Sequence, residues 1–324
     1  MVFKSLVFFF AWLGSYLILI LGNYTFEINL IFWIILGFFI AFMCINIGHD
    51  AIHGAYSSKK WINQVLAHTF NINGASVYMW RKVHNHAHHT YTNIEGLDKD
   101  IGEVPFSRLS PNQKHKTFYK YQHIYILPLY GFASLSWIFV KDYVNFFKNE
   151  VGNYNGRKHS YRAYFWLFFY KILNYTLFLG IPVLVMQDAW WLVITGFLVM
   201  HFFTGMTLAL IFMLAHVVEQ TNFPQPGDNG SLQNSWAVHQ LHTTANFSRK
   251  NNWSLFFTGG LNLQVEHHLF PHICSIHYQA IAPIVEETAN DFNLPYLYNK
   301  SFASALTSHI RFLKKMGQPE DYTT

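Results

Sequence analysis

Two long uncharged runs open the chain, 18 residues from Ser5 to Gly22 and 21 from Ile28 to Gly48. A helix needs roughly 20 apolar residues to cross the hydrocarbon of a bilayer. Two further runs, Tyr164 to Met186 and Ala189 to Ala215, follow a long polar stretch, and the second begins with Trp190 and Trp191 at an interfacial-belt position. The pattern predicts four spans at about residues 5–22, 28–48, 164–186 and 189–215. Lys4 alone precedes the first run and no small-residue cleavage site follows it, so that run is expected to stay as an anchor. Lys171 lies inside the third, where its long side chain is expected to snorkel to the nearer interface. Only Gln187 and Asp188 separate the third run from the fourth, which calls for a tight helical hairpin.

The segments between the spans are mixed. Ile124 to Phe147 is apolar but broken by Pro128, Gly131, Lys141 and Asp142, and is expected to be an interfacial helical segment; a fifth span would put the histidine motifs on opposite sides. Trp61 to Trp80 carries Asn63, Asn71 and Asn73 and is expected to dip into the interface, while the tail from Ser308 to Thr324 is expected to fray. Of the 22 Lys and Arg residues, 14 fall between Asp50 and Ala163 and 6 after Ala215, with none in residues 23–27 or 187–188. The positive-inside bias therefore predicts that both large polar regions and both termini are cytosolic. The expected architecture is an all-α integral membrane protein, one domain over residues 1–324. Four transmembrane helices form two hairpins, and residues 49–163 and 216–324 form a cytosolic helical cap that carries the histidine-box di-metal site.

Composition sharpens this picture. Nineteen histidines stand beside 52% hydrophobic and 12% charged residues, a chain poor in charge yet rich in metal-binding nitrogen. The net charge of +5 suits basic loops against anionic headgroups and lacks the dense Lys/Arg stripe of a nucleic-acid binder. Cys44 and Cys274 both adjoin apolar segments, which points to neither a disulfide framework nor a cysteine-based zinc site.

The histidines are clustered. His49 and His53, in GHDAIHGAY, share one face of a helix, a spacing that serves a metal pair or two buried, hydrogen-bonded rings equally well. In WRKVHNHAHHTYTN, an α-helix would place His84 and His88 on one face and His89 about 100° around from His88. His86 would project to the side opposite His84 and is left over. Four imidazoles in six residues, if unpaired, would be costly to bury in a packed core. A third cluster, LNLQVEHHLFPH, supplies His267 and His268 with Gln264 one turn before them. Seven or more histidines exceed the needs of one ion, so a dinuclear site is expected. Imidazole suits zinc, copper, iron and nickel. Iron is favoured because the site adjoins spans that can admit an aliphatic chain, and attack on an unactivated methylene needs an oxidant that zinc does not supply.

The boxes HDAIH, HNHAHH followed by TYTN, and QVEHH followed by LFP resemble those of the membrane fatty acid desaturases in order and separation, from His49 to Cys274. GLDKDI after the second box, LAHVVE around His216 and GGLNLQVEHHLFP extend the likeness, and the Gln264 form of the third box resembles the front-end and sphingolipid branch. The resemblance implies a four-span fold with a cytosolic cap, two iron ions, O2 as co-substrate and two electrons from an external donor. It also implies a cis double bond introduced into the acyl chain of an acyl-CoA or acyl-lipid, with membrane lipid around the protein.

Carried over, the implied ligands are His49, His53, His84, His88, His89, His216, His267 and His268. Gln264 stands where many relatives have histidine, and could bind metal through its carbonyl oxygen, bind through a water or hydrogen-bond a ligand ring. Asp50, Asp98, Asp100 and Glu266 could orient imidazole N–H groups or lie on the surface. His201, His239 and His242 are not counted as ligands, and no catalytic residue is expected beyond the ligand set. No His-Pro-Gly-Gly haem motif occurs, so a separate ferredoxin or cytochrome is expected to deliver the electrons. Lys59, Lys60, Arg81 and Lys82 could dock an acidic donor or meet lipid headgroups. A membrane hydroxylase or sphingolipid desaturase could use the same boxes. A histidine-rich metal transporter should carry ionisable groups in several spans, where this chain has little beyond His201 and Lys171.

Overall fold

The computed structural model describes residues 1–101, 106–148, 150–151, 154–155, 159–228 and 230–319, most of them helical. Among these, four helices are long and apolar enough to cross a membrane: Val2–Leu21, Phe26–Ile52, Tyr161–Val185 and Trp190–His216. A further helical pair, Thr117–Tyr130 and Ala133–Phe147, is bent too sharply to be one straight span. The described residues form two compact units, one drawn from 1–80, 128–148 and 156–209 and the other from 81–127, 149–155 and 210–324.

In the first unit the apolar helices are held by ring packing and by a few polar contacts that their sequences make available. Phe8 meets Phe42 at 5.6 Å between centroids, and Tyr16 sets its ring edge against Phe178 while its hydroxyl donates to the Leu177 carbonyl at 2.7 Å. Gly37 allows a close helix approach, since a Cβ there would overlap the Met200 carbonyl, and Thr204 donates its hydroxyl to the Gly37 carbonyl at 2.9 Å. Asn29 donates to Asp188 at 2.7 Å, so the two-residue turn between the last two long helices is anchored by a side chain of the Phe26–Ile52 helix. The outward face of Tyr161–Val185 exposes Phe165, Trp166, Phe168 and Phe169, as a lipid-facing surface does.

The asparagines between Trp61 and Trp80 close turns. Asn63 donates to the Gly54 and Ser57 carbonyls, Asn71 accepts from the Val77 amide and Asn73 donates to the Thr69 carbonyl. At Gly131 the chain breaks between two helices, and a Cβ there would run into the ring of Phe202.

Lys171 departs from expectation. It does not snorkel: it is 2% exposed, and its ammonium donates to Asp142 at 2.8 Å and to the Gly74 carbonyl at 2.6 Å. Asp142 also accepts from the Ser76 amide at 2.8 Å and the Trp137 indole at 3.0 Å. A buried carboxylate with three donors is a settled partner for a buried cation, so the side chain turns inward.

The second unit corrects the expectation for the tail. Phe302–Met316 is a helix with a Ser301/Ser304 capping box and a buried face of Ala305, His309, Phe312, Leu313 and Met316. The buried guanidinium of Arg108 donates to the carbonyls of Pro111, Gln113 and Met316, which satisfies an end carbonyl that would otherwise fray. Residues 320–324 of that tail lie outside the described residues. A short parallel pairing of Asn246–Phe247 with Tyr298–Asn299 joins the tail to the segment that leads into the third histidine cluster.

The Lys171–Asp142 pair gives a test of the first unit. Lys171→Met leaves a buried carboxylate with two N–H donors and should cost about 3 kcal/mol. Asp142→Leu leaves the buried ammonium with carbonyl oxygens and no counter-charge, strands the Ser76 and Trp137 donors, and should cost more. Thermal unfolding of the detergent-purified variants ranks them, and equal transitions in both variants and the parent would contradict this account.

Candidate metal centre

In the first unit, His49 and His53 follow a π-helical turn, Cys44–Gly48, at the end of the second long helix. Gly48 admits the ring of Phe70 where a Cβ would clash. The two imidazole centroids are 4.7 Å apart and both residues are buried, with Asp50 Oδ1 3.9 Å from His49 Nδ1.

In the second unit the HNHAHH segment is not an α-helix, as its spacing predicted. Arg81–His88 is a π-helix, in which the hydrogen bonds run from i to i+5. The wider turn brings both i+4 and i+5 over residue i: the His84 ring is 5.0 Å from His88 and 4.9 Å from His89. All three are buried, whereas His86, between them in sequence, is exposed. The widened turn thus gathers three rings on one side and leaves the fourth out.

His216 ends the Trp190–His216 helix, and the short helix Gln264–Leu269 carries Gln264, His267 and His268, all buried. Two consecutive glycines with positive φ, Gly259 and Gly260, turn the chain into this helix. At Gly260 a Cβ would also press on Ser275 at 2.9 Å, so Gly260 is required twice over. Around His268 the ring centroids of His88, His216 and His89 lie at 4.9, 4.8 and 4.4 Å, and His267 lies 4.6 Å from His89. Three sets, His88/His216/His268, His89/His267/His268 and His84/His88/Asp100, each place their ligand atoms within 4.8 Å of one another.

The partners of the ring nitrogens decide what these clusters can bind. His88 Nδ1 lies 3.0 Å from both oxygens of Asp98 and His84 Nδ1 lies 2.7 Å from Asp100. His216 Nδ1 lies 3.4 Å from the Thr243 carbonyl, His268 Nδ1 2.8 Å from Gln240 Oε1, and His267 Nδ1 3.3 Å from the Tyr278 hydroxyl. Carboxylate and carbonyl oxygens only accept, so His84, His88 and His216 carry their protons on Nδ1 and present the Nε2 lone pair. That is the arrangement of a metal-binding imidazole whose outer nitrogen is held by the protein.

Two residues quoted in the motifs do much of the holding. Asp98, fully buried, also accepts from the amides of Asn93 and Asp100, both at 2.9 Å. Asn93 sits at φ +60°, a left-handed conformation that asparagine tolerates, and its amide lies 2.9, 3.1 and 3.2 Å from the carbonyls of His216, Asn222 and Thr243. Glu266 does not face a ring. It accepts from Tyr296 at 2.6 Å and Asn246 at 2.9 Å, and burial raises its carboxyl above the usual carboxylate range against those two bonds.

Of the histidines left uncounted, His201 faces the Ser134 hydroxyl at 3.0 Å in the first unit. His239 is buried in the second, where burial holds its ring below the usual histidine range. Gln240, Thr243 and Tyr278 were invisible as contributors, because their roles come from contacts across 11 to 28 residues of chain.

The donor set fits a metal. Three rings carry an Nε2 lone pair by the logic above; that of His216 accepts from the Gln264 amide nitrogen at 3.2 Å, and Gln264 Oε1 is buried without a hydrogen-bond partner among the described residues. An amide oxygen buried in that state can take a cation or a water.

Comparison with known proteins identifies the family. The fatty acid desaturase family model matches residues 28–300. An acyl-lipid (8-3)-desaturase of Physcomitrium patens is 33% identical over 323 residues, 99% of this chain and 67% of its own. An sn-1 linoleoyl-lipid 6-desaturase of Synechocystis sp. is 35% identical over 319 residues, 98% of this chain and 89% of its own. An acyl-lipid (8-3)-desaturase of Mortierella alpina is 31% identical over 296 residues, 90% of this chain and 65% of its own. With identity above 30% sustained along nearly the whole chain, and buried imidazoles arranged to take metal, the chain belongs to the fatty acid desaturase family of oxidoreductases.

Proposed function

We propose that this protein is a front-end desaturase that inserts a cis double bond into an already unsaturated acyl chain carried on a membrane lipid. The observation that carries the chemistry is the set of buried imidazoles whose Nδ1 protons are accepted by Asp98, Asp100 and the Thr243 carbonyl. The relatives named as acyl-lipid and linoleoyl-lipid desaturases support the substrate class. We take the site as a di-iron centre held by His49, His53, His84, His88, His89, His216, His267 and His268, with Gln264 beside His216. The iron pair, when bound, supplies the redox chemistry by which O2, two electrons and two protons convert one –CH2–CH2– unit into –CH=CH– and two waters.

The protein's own share is positional. Asp98 and Asp100 keep the imidazoles of His88 and His84 in the metal-binding tautomer and raise their basicity. Burial of the ring cluster keeps bulk water from the reacting carbons. Entry of the acyl chain gains about 0.8 kcal/mol per methylene removed from water, so burial of the chain supplies binding energy without charged contacts. The whole chain is taken as one desaturase domain with its spans in two hairpins, both termini and the site on the cytosolic side where the Lys and Arg residues concentrate. A separate ferredoxin or cytochrome is taken as the electron source.

Three outcomes test this reading. Purified protein should hold about two irons per chain, and His88→Ala should lose iron and activity while still inserting into membranes, since ligation is needed for the metals and not for the spans; active protein with stoichiometric zinc and no iron would refute the di-iron site. Lipid profiling of a heterologous host should show new double bonds only in fed unsaturated chains, between the existing bond and the carboxyl end. Desaturation of saturated chains would end the front-end assignment and a hydroxylated product would make the protein a hydroxylase, with the metal site intact in either case. Gln264→His should retain iron and lose most activity, because a ring there crowds His216; full activity would show that the amide has no special part.

A further inference from the structure

The helix Trp236–Thr243 carries no expected ligand, yet one of its side chains links two histidine boxes. Gln240 is fully buried, and its Nε2 lies 3.2 Å from the carbonyl of His89. That carbonyl can only accept, so the amide nitrogen must face it, which fixes which end of the side chain is oxygen. Oε1 is then directed at His268 Nδ1, 2.8 Å away, and at the Thr92 hydroxyl, 2.9 Å away. Oε1 likewise only accepts. His268 Nδ1 must therefore carry the proton, and its Nε2 carries the ring's lone pair.

The His89 carbonyl does not depend on Gln240 alone. Trp236, one turn earlier on the same helix, donates its indole N–H to it at 2.9 Å. The Oε1 contact to His268 has a weaker alternative, the Thr92 hydroxyl at 3.3 Å from Nδ1. Toward that N–H the hydroxyl could only accept, and its 3.3 Å is long beside the 2.8 Å of Oε1; its single proton goes to the His88 carbonyl at 2.7 Å or to Oε1 at 2.9 Å. Of the three rings His88, His216 and His268 that could share one ion, the first is held by a carboxylate, the second by a backbone carbonyl and the third by this amide.

We propose that Gln240 is a positioning residue of the metal centre, which sets the tautomer of His268 so that Nε2 faces the metal. The assignment rests on the di-iron reading above. A residue whose part was only to tie two chain segments together would act through its N–H to His89. A positioning residue acts through its oxygen to His268, and the two parts can be separated by substitution.

The test is Fe(II) binding to the metal-free, detergent-purified full chain, measured by chelator competition, with the thermal transition of the metal-free protein as a control for folding. Gln240→Leu removes the acceptor and should weaken one of the two Fe(II) ions roughly ten- to hundredfold. Gln240→Met, closer in shape, serves if the leucine variant does not fold. Gln240→Glu keeps an acceptor for His268 but lacks the amide donor, and should bind both ions within about threefold of the parent while shifting the Mössbauer signature of one of them. Equal loss in the leucine and glutamate variants, or parent-like binding in Gln240→Leu, would overturn the proposal. If neither deletion variant folds, Gln240→Glu decides alone: both ions held tightly uphold it, and one lost overturns it. A parent protein that binds no Fe(II) would instead refute the di-iron reading, and this inference with it.

Discussion

A buried imidazole can offer one nitrogen to a metal only if its other nitrogen has somewhere to place a proton. The second unit is built around that constraint. Asp98 accepts from His88 Nδ1 and from two backbone amides, so a single carboxylate both sets a ring and closes the turn that follows the second box. Asp100 sets the ring of His84, and the Thr243 carbonyl that of His216. Asn93, held at positive φ, ties this turn to the end of the Trp190–His216 helix. Removing any of these acceptors would leave a buried N–H without a partner, which costs more than the bond itself contributes.

The same accounting governs the apolar first unit. Several polar groups buried there have specific partners: Lys171 with Asp142, Asn29 with Asp188, His201 with Ser134, Thr204 with the Gly37 carbonyl. In surroundings without water these contacts do more to specify which helix faces meet than to add stability. The apolar residues allow many packings, and the polar ones select among them.

The clustering of the imidazoles could be read from spacing. Four runs of about 20 apolar residues announced four helices, and His84, His88, His89, His267 and His268 stood out because so many imidazoles in so few residues have no economical use in a plain core. The Asp98 and Asp100 carboxylates could be named as candidates but not placed, since a carboxylate ten or sixteen residues from its ring has no helical periodicity to link them. Gln240 could not be suspected at all, because its partners His268 and His89 stand 28 and 151 residues away in the chain.

Local sequence determined which segments are apolar enough to be long helices and where the imidazoles cluster, because these follow from hydropathy and residue spacing along the chain. Tertiary structure decided the rest. The second box is a π-helix and not an α-helix, a difference of one hydrogen-bond step that intrinsic propensity does not reveal and that surrounding packing has to stabilise. The tail forms a helix through Met316 because Arg108 and Gln122, some two hundred residues earlier, cap and cover it. Lys171 turned inward because Asp142 was there to meet it. For the tail and for Lys171 the deciding contact is between residues far apart in the chain, whose meeting is a property of the whole fold and leaves no trace in either stretch of sequence alone.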